Sequence, residues 1–426
     1  MSALRAAARF GLLGRSLGHS WSPSIHARLG STPYTLFEVE PQEVSGFIRE
    51  GDWSGINVTI PYKRDAFELA DERSEGAMRL GVANTLVRRG DGSIYADNTD
   101  LVGFGWMLDS FCRRVFDSPA ERALVDVSVV VLGSGGASRA VQAALDDVGA
   151  RVSVISRRGQ DGYGDLVRRH GDALLLVNTT PVGMYPNCPA SPLSDERFFG
   201  LTSLAGVLDV VYNPQRTGIC LQAERADLPF ESGLSMLVAQ ACRSAECFLD
   251  MNVEDERIEK LVFWLKDSCT NVFFIGMPGV GKTSAARGLA HLLGRPFVDL
   301  DDAFRLSCGL SVQSYLRAYG EDSFRAIETK VAAEYGARSG LVVACGGGIV
   351  TRKENWPLLH QNGTIVLLRR PLDQLPLDGR PISQERGLER LASERGPLYE
   401  SWADLTIDCT GNAMSDAHLV RSLLGL

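Results

Sequence analysis

Gly276-Met277-Pro278-Gly279-Val280-Gly281-Lys282-Thr283 has the composition and spacing of a loop that cradles phosphates. Its glycines let successive backbone N–H groups turn toward an anion. Its lysine suits the β- and γ-phosphates, and its terminal hydroxyl suits magnesium. A second glycine-rich turn, Gly133-Ser134-Gly135-Gly136-Ala137-Ser138, comes earlier in the chain. Gly133 permits a tight turn there, and Gly135 lets backbone approach a pyrophosphate at a helix N-terminus. Ser138 stands where the usual pattern has its last glycine. The first motif points to a nucleoside triphosphate and the second to a dinucleotide, so one polypeptide holds two unrelated kinds of nucleotide chemistry.

The strand after the earlier turn ends at Ser156-Arg157-Arg158. An acid at that place would select the ribose 2′-hydroxyl of NAD(H), whereas a hydroxyl and two cations suit a 2′-phosphate and favour NADPH. The competing reading makes Arg157 and Arg158 plain surface residues. Taken singly, Lys63 reads as a surface cation and Asp100 as a helix cap. His19 and His26, in a turn and a helix, read as packed, hydrogen-bonded residues rather than general acids. The nine cysteines show no Cys-x-x-Cys pair and no metal-ligand spacing, as in reduced thiols of a cytosolic protein.

These residues need scaffolds, and the chain is long enough for several. Its 426 residues exceed one ordinary core. Apolar content of 45% and charged content of 23% are those of a soluble globular protein. A formal charge of −8 offers no basic excess for a nucleic-acid backbone or an anionic membrane surface. No apolar stretch is long enough for a membrane span, and the first residues lack the apolar core of a signal peptide. Strand-like runs alternate with helical patterns almost throughout, which indicates α/β layering on mostly parallel sheets. Strands are expected at 9–13, 55–60, 127–132, 151–156, 174–178 and 206–211, with helices at 137–147, 235–250 and 252–267. After a boundary near 266–271, a new series of strands follows at 272–275, 296–300, 341–344 and 364–368.

Several ordered segments narrow the reading of the first half. They are Gly18-His19-Ser20-x-Ser22-Pro23-x-x-His26, Gly55-x-Asn57-Val58-Thr59-x-Pro61-x-Lys63, Gly81-x-x-Asn84-Thr85 and Asp97-Asn98-Thr99-Asp100-x-x-Gly103. Downstream come Asn178-Thr179-Thr180-Pro181-x-Gly183-Met184, Asp209-x-x-Tyr212-Asn213-Pro214 and Gly233-x-x-Met236-Leu237-x-x-Gln240-Ala241. Together they resemble shikimate dehydrogenase over residues 8–265. The resemblance implies that Lys63 and Asp100 are the catalytic pair and that Ser20, Ser22, Thr59, Asn84 and Gln240 bind a polyhydroxylated ring, Ser20 and Ser22 at its carboxylate. Tyr212 either lines this pocket or serves the core. Gly133, Ser134, Gly135, Gly136, Ala137, Ser156, Arg157, Arg158 and Gly233 are the implied NADP(H) contacts.

The second half resembles shikimate kinase over residues 271–410. Beyond the phosphate loop, the motifs are Asp299-x-Asp301, Phe324-Arg325-x-x-Glu328, Gly346-Gly347-Gly348, Gly379-Arg380-Pro381 and Arg395-x-Pro397-Leu398-Tyr399. The resemblance implies ATP held by Gly279, Val280, Gly281, Lys282, Thr283, Ser284 and Arg380, with Mg2+ on Thr283 and Asp299. Asp301 would bind the acceptor hydroxyls and take the departing proton, Arg325 and Arg395 would clamp the acceptor carboxylate, and Gly347 would touch its ring. Lys282, Asp301 and Arg380 are then the catalytic groups, Arg380 as a lid arginine. Two departures from the family pattern fall near that lid: Arg380 and Arg395 are closer in sequence than is common, and Ile382-Ser383 replaces a leucine pair.

The implied fold class is α/β: a two-lobed dehydrogenase with an NADP-binding Rossmann-like domain, then a P-loop domain like those of nucleoside monophosphate kinases. The expected domains are 1–104 plus 234–268 for the dehydrogenase substrate, 105–233 for NADP and 269–426 for the kinase. The implied activity is NADPH-dependent reduction of 3-dehydroshikimate to shikimate, followed by ATP-dependent phosphorylation of shikimate, in the cytoplasm. The expected partners are these small molecules, with no nucleic acid or membrane, an oligomer being possible but not indicated. The two active sites are expected to work independently, with free diffusion of the intermediate. Two rivals stand beside this reading. One is a catabolic quinate/shikimate dehydrogenase preferring NAD, against which the arginine pair and the fused kinase both count. The other is a metabolite-sensing regulator built from inactive domains, which should have lost Lys63, Asp100 or Lys282 and gained a DNA-binding module.

Overall fold

In a computed structural model, residues 9–18, 20–157, 162–375 and 387–426 are described, which leaves His19, Arg158 and Arg380 outside. The chain separates into two compact units. The first comprises Met1–Pro181, Pro192–Tyr212 and Gln222–Trp264, and the second Val182–Ser191, Asn213–Leu221 and Leu265–Leu426.

The first unit holds two sheets. Strands β1 (Phe10–Gly14), β2 (Tyr34–Glu38), β3 (Gly55–Val58), β4 (Glu72–Arg73), β5 (Thr85–Arg88) and β6 (Ile94–Asp97) form one, in the order β2-β1-β3-β5-β6-β4. This sheet is mixed rather than mostly parallel. β5 runs antiparallel to both β3 and β6, and Thr85 lies opposite Asp97 in the β5–β6 hairpin. β3 spans Gly55–Val58 and so stops short of the expected residue 60.

The other sheet is all parallel, in the order β11-β10-β9-β7-β8, from β7 (Ser128–Leu132), β8 (Arg151–Ile155), β9 (Leu175–Asn178), β10 (Gly206–Asp209) and β11 (Phe230–Glu231). Val129, Val130, Val131 and Leu132 are all buried, the continuous apolar run expected of a strand covered on both faces. The helix Thr99–Phe116 lays Phe104, Met107, Leu108 and Phe111 into the same core as Val129, Val131, Leu175 and Leu208. Its Gly103 lies so close to the helix Leu234–Leu249 that a Cβ would stand 2.8 Å from Gln240 Cβ and 2.9 Å from Met236 O. That close approach brings the start of one helix beside Gln240 of the other.

The second unit is built on one parallel sheet, in the order β13-β14-β12-β15-β16, from β12 (Asn271–Ile275), β13 (Phe297–Asp299), β14 (Val342–Ala344), β15 (Gly363–Arg369) and β16 (Leu405–Asp408). Alternate residues serve opposite cores. Phe273, Ile275, Val343 and Ile365 pack with Tyr399 and Trp402, while Val272, Phe274, Val342 and Val366 pack with Ala286, Leu289 and Val420. The helix Lys282–Leu293 starts directly after the phosphate loop, with Gly281 at its N-cap and φ of 113°, a conformation that favours glycine. Among the described residues, no helix is long and apolar enough to cross a membrane.

Candidate functional sites

In the first unit, a cavity of about 210 Å³ is lined by Ser20, Ser22, Asn57, Thr59, Lys63, Asn84, Asp100, Ala137, Tyr212, Gly233, Met236, Leu237 and Gln240, among others. Residues far apart in sequence are gathered by short backbone links. Thr59 N donates to Leu13 O, Ala83 N to Lys63 O, and Asn84 N to Asp97 O. The β5–β6 hairpin thereby sets Asn84 beside the first turn of the helix Thr99–Phe116, where Asn98 accepts from Asp100 N and caps the helix.

Lys63 Nζ lies 2.5 Å from Asp100 Oδ2, and Asn84 Nδ2 donates to Asp100 Oδ1 at 3.0 Å. The amide of Asn84 cannot flip without loss, because its Oδ1 accepts from Thr99 N at 2.7 Å. Gln240 is likewise pinned, its Nε2 donating to Leu237 O and its Oε1 accepting from Thr99 Oγ1. Thr99, a residue of the sequence motif to which no role was attached, therefore orients two cavity amides. A partly buried lysine paired to one carboxylate, itself held by an amide, is an arrangement for presenting a proton at a fixed point.

Ser20 Oγ accepts from Ser22 N at the start of the helix Ser22–Leu29, which holds both hydroxyls at one edge of the cavity. Tyr212 lines the cavity, and burial pushes its phenol pKa up. His26 is fully buried, stacked on Tyr34 at 4.3 Å, and burial lowers its pKa to about 3. It is a neutral packed residue, as the sequence reading has it, but among the described residues neither ring nitrogen meets a hydrogen-bond partner, so the expected hydrogen bond is not found.

The glycine turn opens the helix Gly136–Asp147. A Cβ at Gly133, where φ is 102°, would lie 2.9 Å from Thr179 Oγ1, so this position is closed to larger residues. Ser134, Gly135 and Gly136 are exposed, and a Cβ at either glycine would meet open space, which leaves this helix end free to receive an anion. Ser138 is fully buried and donates to Gly133 O at 2.8 Å, so the residue in place of the last glycine ties the turn together. Gly233 could not bear a side chain, since its Cβ would stand 2.2 Å from Val210 O. Ser156 is buried at the end of β8 and Arg157 is exposed.

In the second unit, a cavity of about 450 Å³ joins the phosphate loop to the acidic and glycine motifs. Lys282 Nζ donates to Gly276 O and Met277 O, both at 3.0 Å. Thr283 Oγ1 donates to Asp299 Oδ2 at 2.9 Å, and Asp299 Oδ1 accepts from Asp301 N, capping the helix Leu300–Cys308. Among the described residues, no group of three or more His, Cys, Asp or Glu side chains could hold a metal ion by itself. The hard oxygens of Thr283 and Asp299 nevertheless fit magnesium, which commonly takes one or two protein ligands and completes its shell with phosphates and water. Asp301 opens on the cavity, yet desolvation by the surrounding protein raises its pKa to about 6, helped by the negative charges of Asp299 and Glu328 and opposed by Lys282 and Arg325. Burial also pushes the Cys345 thiol up, which leaves it protonated and inert.

A backbone break at Gly320, with φ of 78°, divides the long helix Val312–Gly336 and starts a new segment toward Phe324, Arg325 and Glu328. Arg325 Nη1 donates to Glu328 Oε2 at 2.6 Å and Nη2 to Glu321 Oε1 at 3.2 Å. Arg325 Nε and Arg395 Nη2 are buried without a partner. Each glycine of the 346–348 run has its own steric reason. A Cβ would meet Glu328 Oε1 at 2.8 Å from Gly346, Pro278 Cγ at 2.9 Å from Gly347 and Arg325 Nη2 at 2.0 Å from Gly348. Pro278, Gly279, Gly281, Lys282, Thr283 and Ser284 line the same cavity, while Val280 is buried. Val312, Gln313 and Leu316 also line it; no sequence motif had drawn attention to them.

Two families match parts of this sequence: the shikimate dehydrogenase substrate binding domain over residues 12–86, and shikimate kinase over residues 278–423. The shikimate dehydrogenase (NADP(+)) of Clostridium beijerinckii is 32% identical over 273 residues, covering 59% of this chain and 96% of that protein. The crystal structure of a chorismate mutase/shikimate 5-dehydrogenase fusion protein from Clostridium acetobutylicum is similar with a TM-score of 0.55 and 31% identity, over 62% of this chain and 98% of that one. Shikimate 5-dehydrogenase from Thermus thermophilus, solved with NADP(H) and shikimate, gives a TM-score of 0.50 at 28% identity, over 60% of this chain and 99% of that one.

Proposed function

Because this chain belongs to the shikimate dehydrogenase family and ends in a shikimate kinase domain, making it an oxidoreductase and a kinase of the shikimate pathway, we propose that it converts 3-dehydroshikimate to shikimate and then to shikimate 3-phosphate. NADPH is the reductant and ATP the phosphoryl donor. Separate domains serve them, 1–104 with 234–268 and 105–233 for the reductase and 269–426 for the kinase.

In the reductase cavity, Ser20 and Ser22 hold the substrate carboxylate, while Thr59, Asn84 and Gln240 hold its hydroxyls, with Tyr212 against the ring. Gly133–Ala137 and Gly233 would hold NADPH, which would supply the hydride, with Ser156, Arg157 and Arg158 assigned to its 2′-phosphate. Lys63 donates a proton to the ketone oxygen, which becomes the alcohol, and Asp100 holds Lys63 in place and accepts from a ring hydroxyl. The presence of Lys63, Asp100, Ala137 and Gly233 in one cavity supports this assignment, because proton donor and nucleotide turn must meet at one substrate.

In the kinase cavity, Thr283 and Asp299 would hold Mg2+, which would supply positive charge against the phosphates. Gly279–Ser284 give backbone donors to the phosphates, and Lys282 leaves its two carbonyl partners to meet them. Asp301 accepts the proton of the attacking 3-hydroxyl, and Arg380 stabilises charge on the transferred group. Arg325 and Arg395 clamp the acceptor carboxylate, and Gly347 lies against the ring. The observation that weighs most is the pair of buried guanidinium N–H groups without partners, since a donor in that state costs free energy until an acceptor arrives.

Incubating the protein with 3-dehydroshikimate, NADPH, ATP and magnesium, and omitting each nucleotide in turn, tests the assignment. Shikimate without ATP and shikimate 3-phosphate with it are expected. NADH outperforming NADPH would instead favour the catabolic quinate/shikimate alternative. All nine cysteines are free, as suits a reducing compartment, and a cytoplasmic setting is part of this proposal.

A further inference from the structure

The second unit holds one further polar contact that the phosphoryl-transfer scheme leaves unused. Tyr399 and Arg395 stand one helical turn apart on the helix Leu388–Trp402, and both are buried. Tyr399 Oη donates to Gly347 O, and Arg395 Nη1 donates to the same oxygen at 3.0 Å. Both lone pairs of that carbonyl are therefore engaged. Gly347 also lies near Pro278 of the phosphate loop, to which a Cβ would come within 2.9 Å. The carbonyl of the Gly347–Gly348 peptide is thus held by two hydrogen bonds. In a trans peptide the N–H of Gly348 points opposite to the Gly347 carbonyl, so fixing one direction fixes the other.

We propose that Tyr399 is a positioning residue for the acceptor subsite of the kinase: it satisfies the Gly347 carbonyl, so that Arg395 can turn its open N–H toward the acceptor carboxylate and the glycine run keeps its binding shape. The inference rests on the proposed kinase reading. Without the Tyr399 hydroxyl, Arg395 alone would anchor that carbonyl, and the guanidinium would serve the backbone and the substrate in competition. Desolvation pushes the phenol pKa up to about 12, which keeps it a donor across the working pH range.

The test is Tyr399→Phe in the full chain, with steady-state constants for shikimate and for ATP. The ring remains in the core and only the hydroxyl is lost. The KM for shikimate is expected to rise about 3- to 10-fold, with kcat within about twofold and the KM for ATP unchanged. A lower yield of folded protein cannot mimic this pattern, because KM does not depend on how much active enzyme is present. An unchanged shikimate KM, or equal rises for shikimate and ATP, would overturn the positioning role while leaving the kinase assignment standing. Failure of the unmodified chain to phosphorylate shikimate would instead sink the kinase reading, and this inference with it.

Discussion

The two cavities handle charge in opposite ways. In the first unit, Lys63 is already paired with Asp100, Asp100 with Asn84, and Asn84 with Thr99, so the polar groups arrive neutralised and oriented. In the second, Lys282 rests on two backbone carbonyls, while Arg325 Nε and Arg395 Nη2 have no partner. Proton delivery to a neutral ketone needs a lysine held in one place. Transfer of a phosphoryl group needs donors left over for incoming anions, even where, as at Arg325, the other N–H groups already pair with Glu328 and Glu321. On the proposed function, the contrast follows from the reacting groups, a neutral carbonyl in one cavity and charged phosphates in the other, and it tells which substitutions should remove chemistry and which should loosen binding.

The largest effects separate the two activities. Lys63→Ala should lower 3-dehydroshikimate reduction by about 10²- to 10⁴-fold while phosphorylation of supplied shikimate continues, and Lys282→Ala should do the reverse. Separate assays of NADPH oxidation and ADP release would show this. Loss of both activities in either folded variant would contradict independent sites.

Next comes Gly348→Ala. Its Cβ would fall 2.0 Å from Arg325 Nη2, and Arg325 is buried with a buried carboxylate partner, so it has little room to yield. The shikimate KM of the kinase should rise by about tenfold or more, with reduction unaffected, since a displaced clamp loses a charge-assisted pair. Initial rates against shikimate would measure it, and a normal KM would remove Arg325 from the acceptor site.

A milder effect is the pH dependence of phosphoryl transfer. With its pKa raised to about 6, Asp301 is an available base above that pH and becomes protonated below it. The kinase kcat/KM for shikimate should therefore fall by about tenfold per pH unit below about 6. Asp301→Asn should abolish this limb along with most activity, and a flat profile down to pH 5 would argue against Asp301 as base.

The smallest effect concerns Ser138→Gly, which restores the commoner glycine pattern. Losing the bond from Ser138 to Gly133 O should cost about 1 kcal/mol in stability, read by urea unfolding of the reductase. A stabilised variant would show that the serine does not brace the turn.

Much of this architecture can be read from the sequence, because buried parallel strands such as β7 and β12 are continuous apolar runs. The β5–β6 hairpin is not legible in that way: its ends are the polar residues Asn84-Thr85 and Asp97-Asn98, which look like loops yet pair within a mixed sheet beside the cavity. The phosphate loop and the Lys63–Asp100 pair stand out through residue type and spacing. Thr99, Glu328 and Tyr399 lie inside recognisable sequence motifs, but their tasks are to hold other side chains or a backbone carbonyl. Such roles depend on direction rather than composition, and only the fold reveals them. Ser138 looked like a departure from a glycine pattern and proves to be a brace. Arg158 and Arg380 fall outside the described residues, so their assignments stand on the resemblance alone.

The most direct test follows one labelled ring through both steps. Carbon-13-labelled 3-dehydroshikimate, incubated with the intact protein, NADPH, ATP and magnesium, should yield labelled shikimate 3-phosphate by carbon and phosphorus NMR, with one NADPH and one ATP consumed per product. Oxidation of NADPH without any phosphate ester, even after unlabelled shikimate is added, would contradict the account.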